Sequence, residues 1–348
     1  MARVMAVVAL STLIAAACGG GSGVTPGKKI ALLLPDTPTA LSIRSYFEDV
    51  VTQVCSGCQV LYSAAKTDAE QQTQATTAIT SGASVMVLDP VHGATGATIV
   101  AQAKSSSIPV ISYDRMVLTT PSLSYFVSFD TGAAGGLMAS SLLTALGTKA
   151  KPTVVEITGD SADGNTKTFK DAALAALNGK VTFARQYDTP GGTAANAKAE
   201  MQRALNDLNF RIDGLLASSD KLAGGAIAAM KGNVRPWPPI TGQGAELAAI
   251  QRIVTGDQYM TLYMSNKAEA EAAAHLAYDL AFGITVPASM AGGRTVNNGS
   301  SDVPAVLVMP VVVTKVNIQA TVVADGFWSA DDICTSQYIS ACAAAGIA

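Results

Sequence analysis

The sequence predicts an α/β fold in which parallel sheets are flanked by helices. From residue 29 onward, short apolar runs alternate with longer alanine-rich segments of helical period. Each apolar run is continuous, which is typical of strands buried on both faces, and the alternation with helices favours strand–helix–strand units. The predicted strands lie at residues 30–34, 60–63, 85–88, 110–113, 154–158, 181–187 and 215–218.

Two segments of the chain repeat the same order of elements. The same order of a strand, an aspartate, an Ala/Gly-rich helix, a second strand and a final polar segment occurs at residues 85–114 and at residues 212–244. The chain has 348 residues, enough for two ordinary domains. The repeat therefore predicts an early and a late lobe with the same plan.

The first residues resemble a bacterial lipoprotein signal. Arg3 precedes an apolar run over residues 4–17, and small residues lead up to Cys18. That run is too short for a bilayer span, which needs about 20 residues. We predict a signal peptide over 1–17, lipidation at Cys18 and a glycine-rich tether over 18–27. The alternatives are an uncleaved helical anchor or a disordered start. The prediction places the protein outside the cytoplasmic membrane, held there by lipid.

Four further cysteines form two close pairs in the sequence, Cys55 with Cys58 and Cys334 with Cys342. Export into an oxidising space predicts two local disulfides. A redox C-x-x-C site is the alternative for the first pair, but that chemistry needs a thiolate at the start of a helix. The first pair follows a helical pattern over residues 41–54, which favours a structural bridge.

Charge and motifs exclude several classes of function. The formal net charge of −3 offers no basic field for nucleic acid. The sequence contains no Walker loop and no G-x-S-x-G elbow, and Gly242-Gln243-Gly244 lacks the third glycine of a dinucleotide fingerprint. His92 and His275 lie far apart in the sequence, and neither has a second histidine or a cysteine at helical spacing. We therefore expect no cofactor, no metal and no catalysis.

Aspartates occur at or just after the ends of the predicted strands. Some of them are expected to cap helices, and others to face a ligand, because ligands bind beyond the carboxyl ends of parallel strands. Arg115 directly follows one of them, Asp114, and the pair offers a fork of donors beside an acceptor, which suits the vicinal hydroxyls of a polyol. A purely structural pair is the alternative. The aspartates are Asp36, Asp89, Asp114, Asp130, Asp160, Asp188 and Asp220.

Read in order, the strand-end segments resemble those of the pulse-type sugar-binding proteins of ABC transporters, particularly the xylose-binding and multiple-sugar-binding branch. The segments that carry the resemblance include Tyr113-Asp114-Arg115, Phe129-Asp130, Gly159-Asp160, Ser218-Ser219-Asp220 and Gly242-Gln243. The likeness runs from about residue 29 to residue 328. It implies a type I periplasmic binding protein with two Rossmann-like lobes joined by a three-segment hinge.

Applied to this chain, the resemblance implies boundaries for both lobes. The N-terminal lobe would comprise residues 28–130 plus 265–309, and the C-terminal lobe residues 131–264 plus 310–348. The three crossings would lie near residues 129–132, 262–265 and 308–311.

The resemblance also implies ligand-binding residues. It assigns them to Arg44, Asp114, Arg115, Asn165, Ser219 and Gln243. The chain departs from the xylose branch at several of the matching positions, which hold Ser45, Gly192, Ser219, Gly244 and Met264. Two tryptophans are lost at the first two positions, so we expect a ligand without a flat ring face, such as a furanose or an acyclic polyol. Tyr46, Phe47 or Phe169 are candidates to replace the lost rings.

The implied function is that of a lipid-anchored receptor that closes around a small monosaccharide or polyol and presents it to an ABC permease. We expect a monomer that catalyses no reaction. The alternative is a sugar sensor that presents its ligand to a membrane kinase.

Overall fold

The computed structural model describes residues 27–160 and 164–347, the side chain of Asn165 excepted. The predicted signal peptide, Cys18 and all of the tether but residue 27 lie outside the described residues. No helix in the described ranges is long and apolar enough to cross a membrane. In chain order the elements are β1 (Lys29–Pro35), α1 (Ala40–Val54), β2 (Gln59–Ala65), α2 (Asp68–Thr80), β3 (Val85–Leu88), α3 (Gly96–Ser105), β4 (Val110–Tyr113), β5 (Tyr125–Phe129), α4 (Thr131–Leu146), β6 (Thr153–Thr158), α5 (Gly164–Leu177), β7 (Thr182–Asp188), α6 (Ala194–Asp207), β8 (Gly214–Ala217), α7 (Asp220–Met230), α8 (Leu247–Thr255), β9 (Met260–Tyr263), α9 (Asn266–Phe282), α10 (Ala288–Ala291), β10 (Thr295–Asn297), β11 (Asp302–Val308), β12 (Val311–Thr314), α11 (Ala330–Ile333) and α12 (Ile339–Ala345).

The first sheet has seven strands in the order β10-β11-β5-β4-β3-β1-β2. All of its pairings are parallel except that of β10 with β11. Side chains of α1 and α9 pack on one face, and side chains of α2 and α3 pack on the other. The central strands β1, β3 and β4 are therefore buried on both faces, as their continuous apolar runs predict.

The second layer is built from two sheets. β7, β6 and β8 form a parallel sheet, and β9 pairs with β12 in an antiparallel sheet. Single parallel bridges from Leu215 to Ile240 and from Gln243 to Leu262 connect them. Two pairings are antiparallel, β10 with β11 and β12 with β9, and the sheets are otherwise parallel as the sequence predicts. β10 is joined to β11 by a short connection, which favours antiparallel neighbours, whereas β12 pairs with β9 from an earlier part of the chain.

Three segments pass between the two layers, after β5, after β9 and after β11. The first and third lie side by side, because the Asp130 N–H donates to the Val308 carbonyl at 3.0 Å. Asp130 also caps α4 by accepting from the Ala133 N–H, and its Oδ2 lies 2.6 Å from Arg294 Nη1. One aspartate thus fixes the start of a helix in the second layer to the edge of the first.

The structure pairs the cysteines as the sequence predicts. Cys55 is bonded to Cys58 and Cys334 to Cys342. Cys55 follows the last residue of α1, so the first pair lies at the carboxyl end of a helix. The helix dipole at that end disfavours a thiolate, which supports a structural role for the bridge.

Candidate functional site

A small polar cavity, called the polar chamber below, lies between the two layers at the carboxyl ends of their strands. It has a volume of about 280 Å³. Asp114 follows β4, and Ser218 follows β8, so both layers contribute to its wall. This is the place where open parallel sheets bind ligands. The lining residues are Asp114, Ser128, Phe129, Thr131, Thr166, Phe169, Ser218, Gln243 and Met264.

A second and larger cavity, called the apolar groove below, adjoins the polar chamber. It has a volume of about 890 Å³ and shares Asp114, Ser128, Phe129 and Thr131 with the chamber. The two cavities therefore form one continuous cleft. The apolar groove takes its name from the side chains of Met116, Leu118, Phe126, Val296 and Leu307.

Asp114 is held in place by its backbone. Its φ of 54° lies in the left-handed region, which aspartate tolerates better than most residues. Its N–H donates to the Val127 carbonyl at 2.9 Å, and its own carbonyl accepts from Ser128 Oγ at 3.0 Å. The residue is open to the cleft on one side. Desolvation by the surrounding protein still raises the pKa of the carboxyl, and the charge of Arg115 opposes that rise. The structure thus fixes one acceptor in the wall of the chamber.

Arg115 lines the apolar groove rather than the polar chamber. Its Nη1 donates to the Pro90 carbonyl at 2.8 Å and to the Val91 carbonyl. These bonds hold the guanidinium against the loop that follows β3. A guanidinium has five N–H donors, so contacts made through Nη1 leave others for a ligand.

Three buried groups lie behind Asp114. Asp89, Tyr113 and Glu269 are each less than a tenth exposed. Burial and the nearby Asp114 raise the pKa of Asp89 to about 8, while Arg115 opposes the shift. Burial and Asp114 also raise the pKa of Glu269 well above its usual range. At neutral pH the shift of Asp89 favours a protonated carboxyl behind the wall of the chamber.

The sequence predicts that Gln243 and Ser219 both face the ligand, and the structure separates them. Gln243 lines the polar chamber, and its Oε1 is buried without a hydrogen-bond partner in the described part of the chain. Ser219 instead caps α7 by accepting from the Leu222 N–H at 3.3 Å. Its neighbour Ser218 lines the chamber and accepts from the Gly159 N–H at 3.1 Å.

Arg44 lies outside the residues that line either cavity. Its Nε bonds to Glu48 Oε1 at 2.8 Å, and its guanidinium carbon is 4.8 Å from the centre of the Tyr62 ring. Arg44 is thus bound to neighbouring side chains of the first layer. The side chain of Asn165 lies outside the described part of the chain, although the next residue, Thr166, lines the chamber.

Asp220 follows β8 as Asp114 follows β4, but it serves the fold rather than the cleft. Its carboxylate is fully buried. Oδ1 accepts from Gln258 Nε2 at 2.8 Å, and Oδ2 accepts from Thr261 Oγ1 at 2.8 Å and from the Glu246 N–H at 3.0 Å. Burial raises the pKa of Asp220 to about 6 against these hydrogen bonds. The residue ties α7 to β9 and to the segment before α8.

The chamber has one aromatic side chain among the three candidates for a replacement ring. Phe169 lines it, whereas Phe47 lies in the core of the first layer and Tyr46 donates through its hydroxyl to the Asp325 carbonyl at 3.1 Å. Sequence reasoning missed Phe129, which also lines the chamber. Its position at the end of β5 was the available signal.

Comparison with known proteins adds independent findings. Residues 30–285 match the family model described as periplasmic binding protein domain. The chain is 34% identical to the D-xylose-binding periplasmic protein of Escherichia coli over 278 residues, which cover 78% of this chain and 82% of that protein. It is 28% identical to the multiple sugar-binding periplasmic receptor ChvE of Rhizobium radiobacter, over 76% of this chain and 80% of the receptor.

A likeness in structure supports the same fold. An ABC transporter solute binding protein from Clostridium phytofermentans, solved with bound β-D-glucose, superposes with a TM-score of 0.68 at 23% identity. The superposition covers 88% of this chain and 100% of the solved one.

Proposed function

The chain belongs to the periplasmic binding protein family, and on that premise we propose that it is the extracytoplasmic solute-binding protein of an ABC importer that captures a small monosaccharide or polyol. The type I fold predicted from the sequence is confirmed by the family and by the solved neighbours. The same membership confirms the prediction that the chain binds a solute and is not an enzyme.

One observation carries the proposal. The polar chamber is lined by hydrogen-bonding side chains from both layers, with Asp114 on one side and Ser218 and Gln243 on the other. A polyol that bonds to both walls favours the closed arrangement of the lobes, because a ligand shifts a conformational equilibrium by its differential affinity. The relatives that bind xylose or several sugars support a sugar as the ligand.

The proposed mechanism is rotation of two lobes about the three crossings, with boundaries at residues 28–130 plus 265–309 and 131–264 plus 310–348. The close approach of the crossings after β5 and after β11 supports a shared hinge. We propose Asp114, Arg115 and Gln243 as residues that contact the ligand, with Ser218 added beside them. Asn165 remains a proposal from the resemblance alone.

Attachment to the membrane through lipidated Cys18 is part of the proposal and is supported by the sequence of the first eighteen residues. Mass spectrometry of the membrane-extracted protein tests it. A mature N-terminus at Cys18 carrying acyl chains is the expected result. Co-purification from solubilised membranes tests the partner: we expect an ABC permease, whereas capture of a sensor kinase alone would favour the sensory alternative.

A thermal-shift screen tests the ligand class. The purified full chain is heated with pentoses, hexoses, furanose-rich sugars and acyclic polyols, each in large excess. A ligand at about 1,000 times its dissociation constant adds roughly 4 kcal/mol to the free energy of unfolding, so a true ligand raises Tm clearly. We expect hits among furanoses or polyols. Micromolar binding of xylopyranose would contradict the inference from Ser45 and Gly192, and no hit at all would remove the sugar assignment.

Removing the side chain of Arg115 is expected to abolish most of the binding. Each hydrogen bond from a charged donor to a desolvated ligand contributes about 1.5–3 kcal/mol, so Arg115→Ala should weaken the best ligand of the screen by about tenfold to a hundredfold or more. Isothermal titration calorimetry measures the loss, and circular dichroism checks the fold. Arg185→Ala is the matched control, because Arg185 is an exposed arginine paired with Asp207 outside the cleft. Parent-like affinity in Arg115→Ala would remove this residue from the site.

A further inference from the structure

The apolar groove is larger than a monosaccharide site requires. Pockets for drug-sized ligands span roughly 300–1,000 Å³. The polar chamber alone, at about 280 Å³, falls just below that range, whereas the adjoining groove has about 890 Å³. A ligand held by Asp114 in the chamber therefore has room to extend past the shared residues into the groove.

The floor of the groove is a separate apolar cluster. Phe126, Val303 and Ala305 form its buried part, and Met116, Leu123, Val296 and Leu307 pack against it. All of these residues lie on β5, β10, β11 or the loop before β5. Helices supply the covering side chains for the neighbouring clusters of the same sheet, but this cluster is built from strand and loop residues. Four of its residues line the groove, namely Met116, Phe126, Val296 and Leu307.

Leu118 stands at the edge of this surface. It is 43% exposed and lines the groove together with the apolar side chains of Met116 and Phe126. An exposed leucine beside half-buried apolar neighbours leaves apolar area that a ligand could remove from water.

Both cations of the groove are held by bonds to the protein, and the remaining N–H donors of Arg115 are the ones proposed for the sugar. Arg115 Nη1 bonds to two backbone carbonyls, and Arg294 Nη1 lies 2.6 Å from Asp130 Oδ2. A second sugar ring in the groove would place several hydroxyls against Met116, Leu118 and Phe126, where burial of an unpaired hydroxyl is costly. An apolar substituent meets no such cost.

We propose that the ligand is a glycoside, with its sugar in the polar chamber and an apolar aglycone in the apolar groove. This inference rests on the proposed function and makes its substrate class more specific. The shared residues Asp114 and Ser128 mark the point where the glycosidic bond would lie.

Calorimetric titration of the full chain with matched glycosides tests the proposal. The probes are the methyl and phenyl β-D-xylopyranosides and the methyl and phenyl α-L-arabinofuranosides, with xylobiose as the two-ring competitor. Burying a phenyl group predicts binding about tenfold tighter, or more, than that of the methyl glycoside of the same sugar. Leu118→Asp should remove the phenyl preference, and Val296→Thr should reduce it. Val316→Asp is the matched control, because Val316 is 92% exposed and lies outside both cavities, so it should keep the preference.

The other outcomes overturn the inference in distinguishable ways. Equal affinity for methyl and phenyl glycosides would show that the groove contributes nothing, while the proposed sugar-binding function would stand. Tighter binding of xylobiose than of the phenyl glycosides would replace the aglycone with a second sugar. If free sugars from the thermal screen bind and none of the four glycosides does, the anomeric position faces protein and the proposal is wrong. Failure of the free sugars and the glycosides alike would remove the proposed function with it.

Discussion

Replacing Asp220 with alanine should destabilise the fold by about 3–5 kcal/mol, the range found when one member of a buried charged network is removed. The change leaves the amide of Gln258, the hydroxyl of Thr261 and the Glu246 N–H without their acceptor. Each of these donors then bears a desolvation cost in a region closed to water. Urea unfolding followed by circular dichroism measures the loss.

Two further variants serve as controls for this measurement. Thr261→Val keeps the branched shape but removes one donor, so it should cost about 1–2 kcal/mol. Asp171→Ala removes an exposed aspartate that pairs with Lys167, and it should change the free energy of unfolding by about 0.5 kcal/mol or less. An Asp220→Ala loss no larger than that of Asp171→Ala would show that the buried network does not stabilise the second layer.

Asp89→Asn should stabilise the ligand-free protein at pH 8 relative to the parent, and the difference should shrink as the pH falls towards 4. The pKa of Asp89 is raised to about 8, first by burial and then by Asp114, against a usual value near 3.8. The folded state therefore holds a proton that the unfolded state has lost. Linkage then requires that this group's contribution to stability falls as the pH rises between these two values. A tenfold difference in proton affinity between the folded and unfolded states corresponds to about 1.4 kcal/mol, so the expected change is several kcal/mol.

Urea midpoints of parent and variant across pH 4 to 8 measure this effect. Asp213→Asn is the control, because the pKa of Asp213 is shifted in the opposite direction from that of Asp89. Burial raises the pKa of Asp213, but hydrogen bonds from Lys149 and the Thr153 N–H outweigh it and lower the pKa below its usual value. Asp213 is then ionised in both states above about pH 5, so its variant should differ from the parent by a constant amount in that range. A constant difference for Asp89→Asn as well would place the Asp89 carboxyl in a wetter environment than the structure gives it.

The strands that the sequence predicts well are those with strong local signals. The predicted residues 85–88 and 110–113 coincide with β3 and β4, because both are short, fully apolar or nearly so, and bounded by polar residues. β10 has no such signal, since Thr295–Asn297 is short, polar and largely exposed. Its place in the sheet depends on antiparallel pairing with β11, which no local pattern specifies.

The same limit applies to the site. The sequence predicts Asp114 as a ligand residue because it follows a strand, precedes Arg115 and matches the family's motif, and the structure places it in the chamber wall. Asp220 also follows a strand, yet its hydrogen-bond partners Gln258 and Thr261 are 38 and 41 positions away, and they draw the carboxylate inward. Ser218 and Ser219 both follow β8, and only the turn into α7 decides which of them caps the helix.

The direction of β1 governs how the protein can be used as an immobilised sensor. The strand pairs in parallel with β2 and β3, so Lys29 and Gln59 lie at one edge of the sheet while Asp89 and Asp114 lie beyond the opposite edge. The Lys28 N–H contacts Cys58 Sγ at 3.4 Å, which keeps the start of β1 beside the Cys55–Cys58 bridge. A chip or electrode coupled at the start of β1 would therefore attach on the side remote from the cleft. Analyte could then reach the cavities from free solution without passing the support.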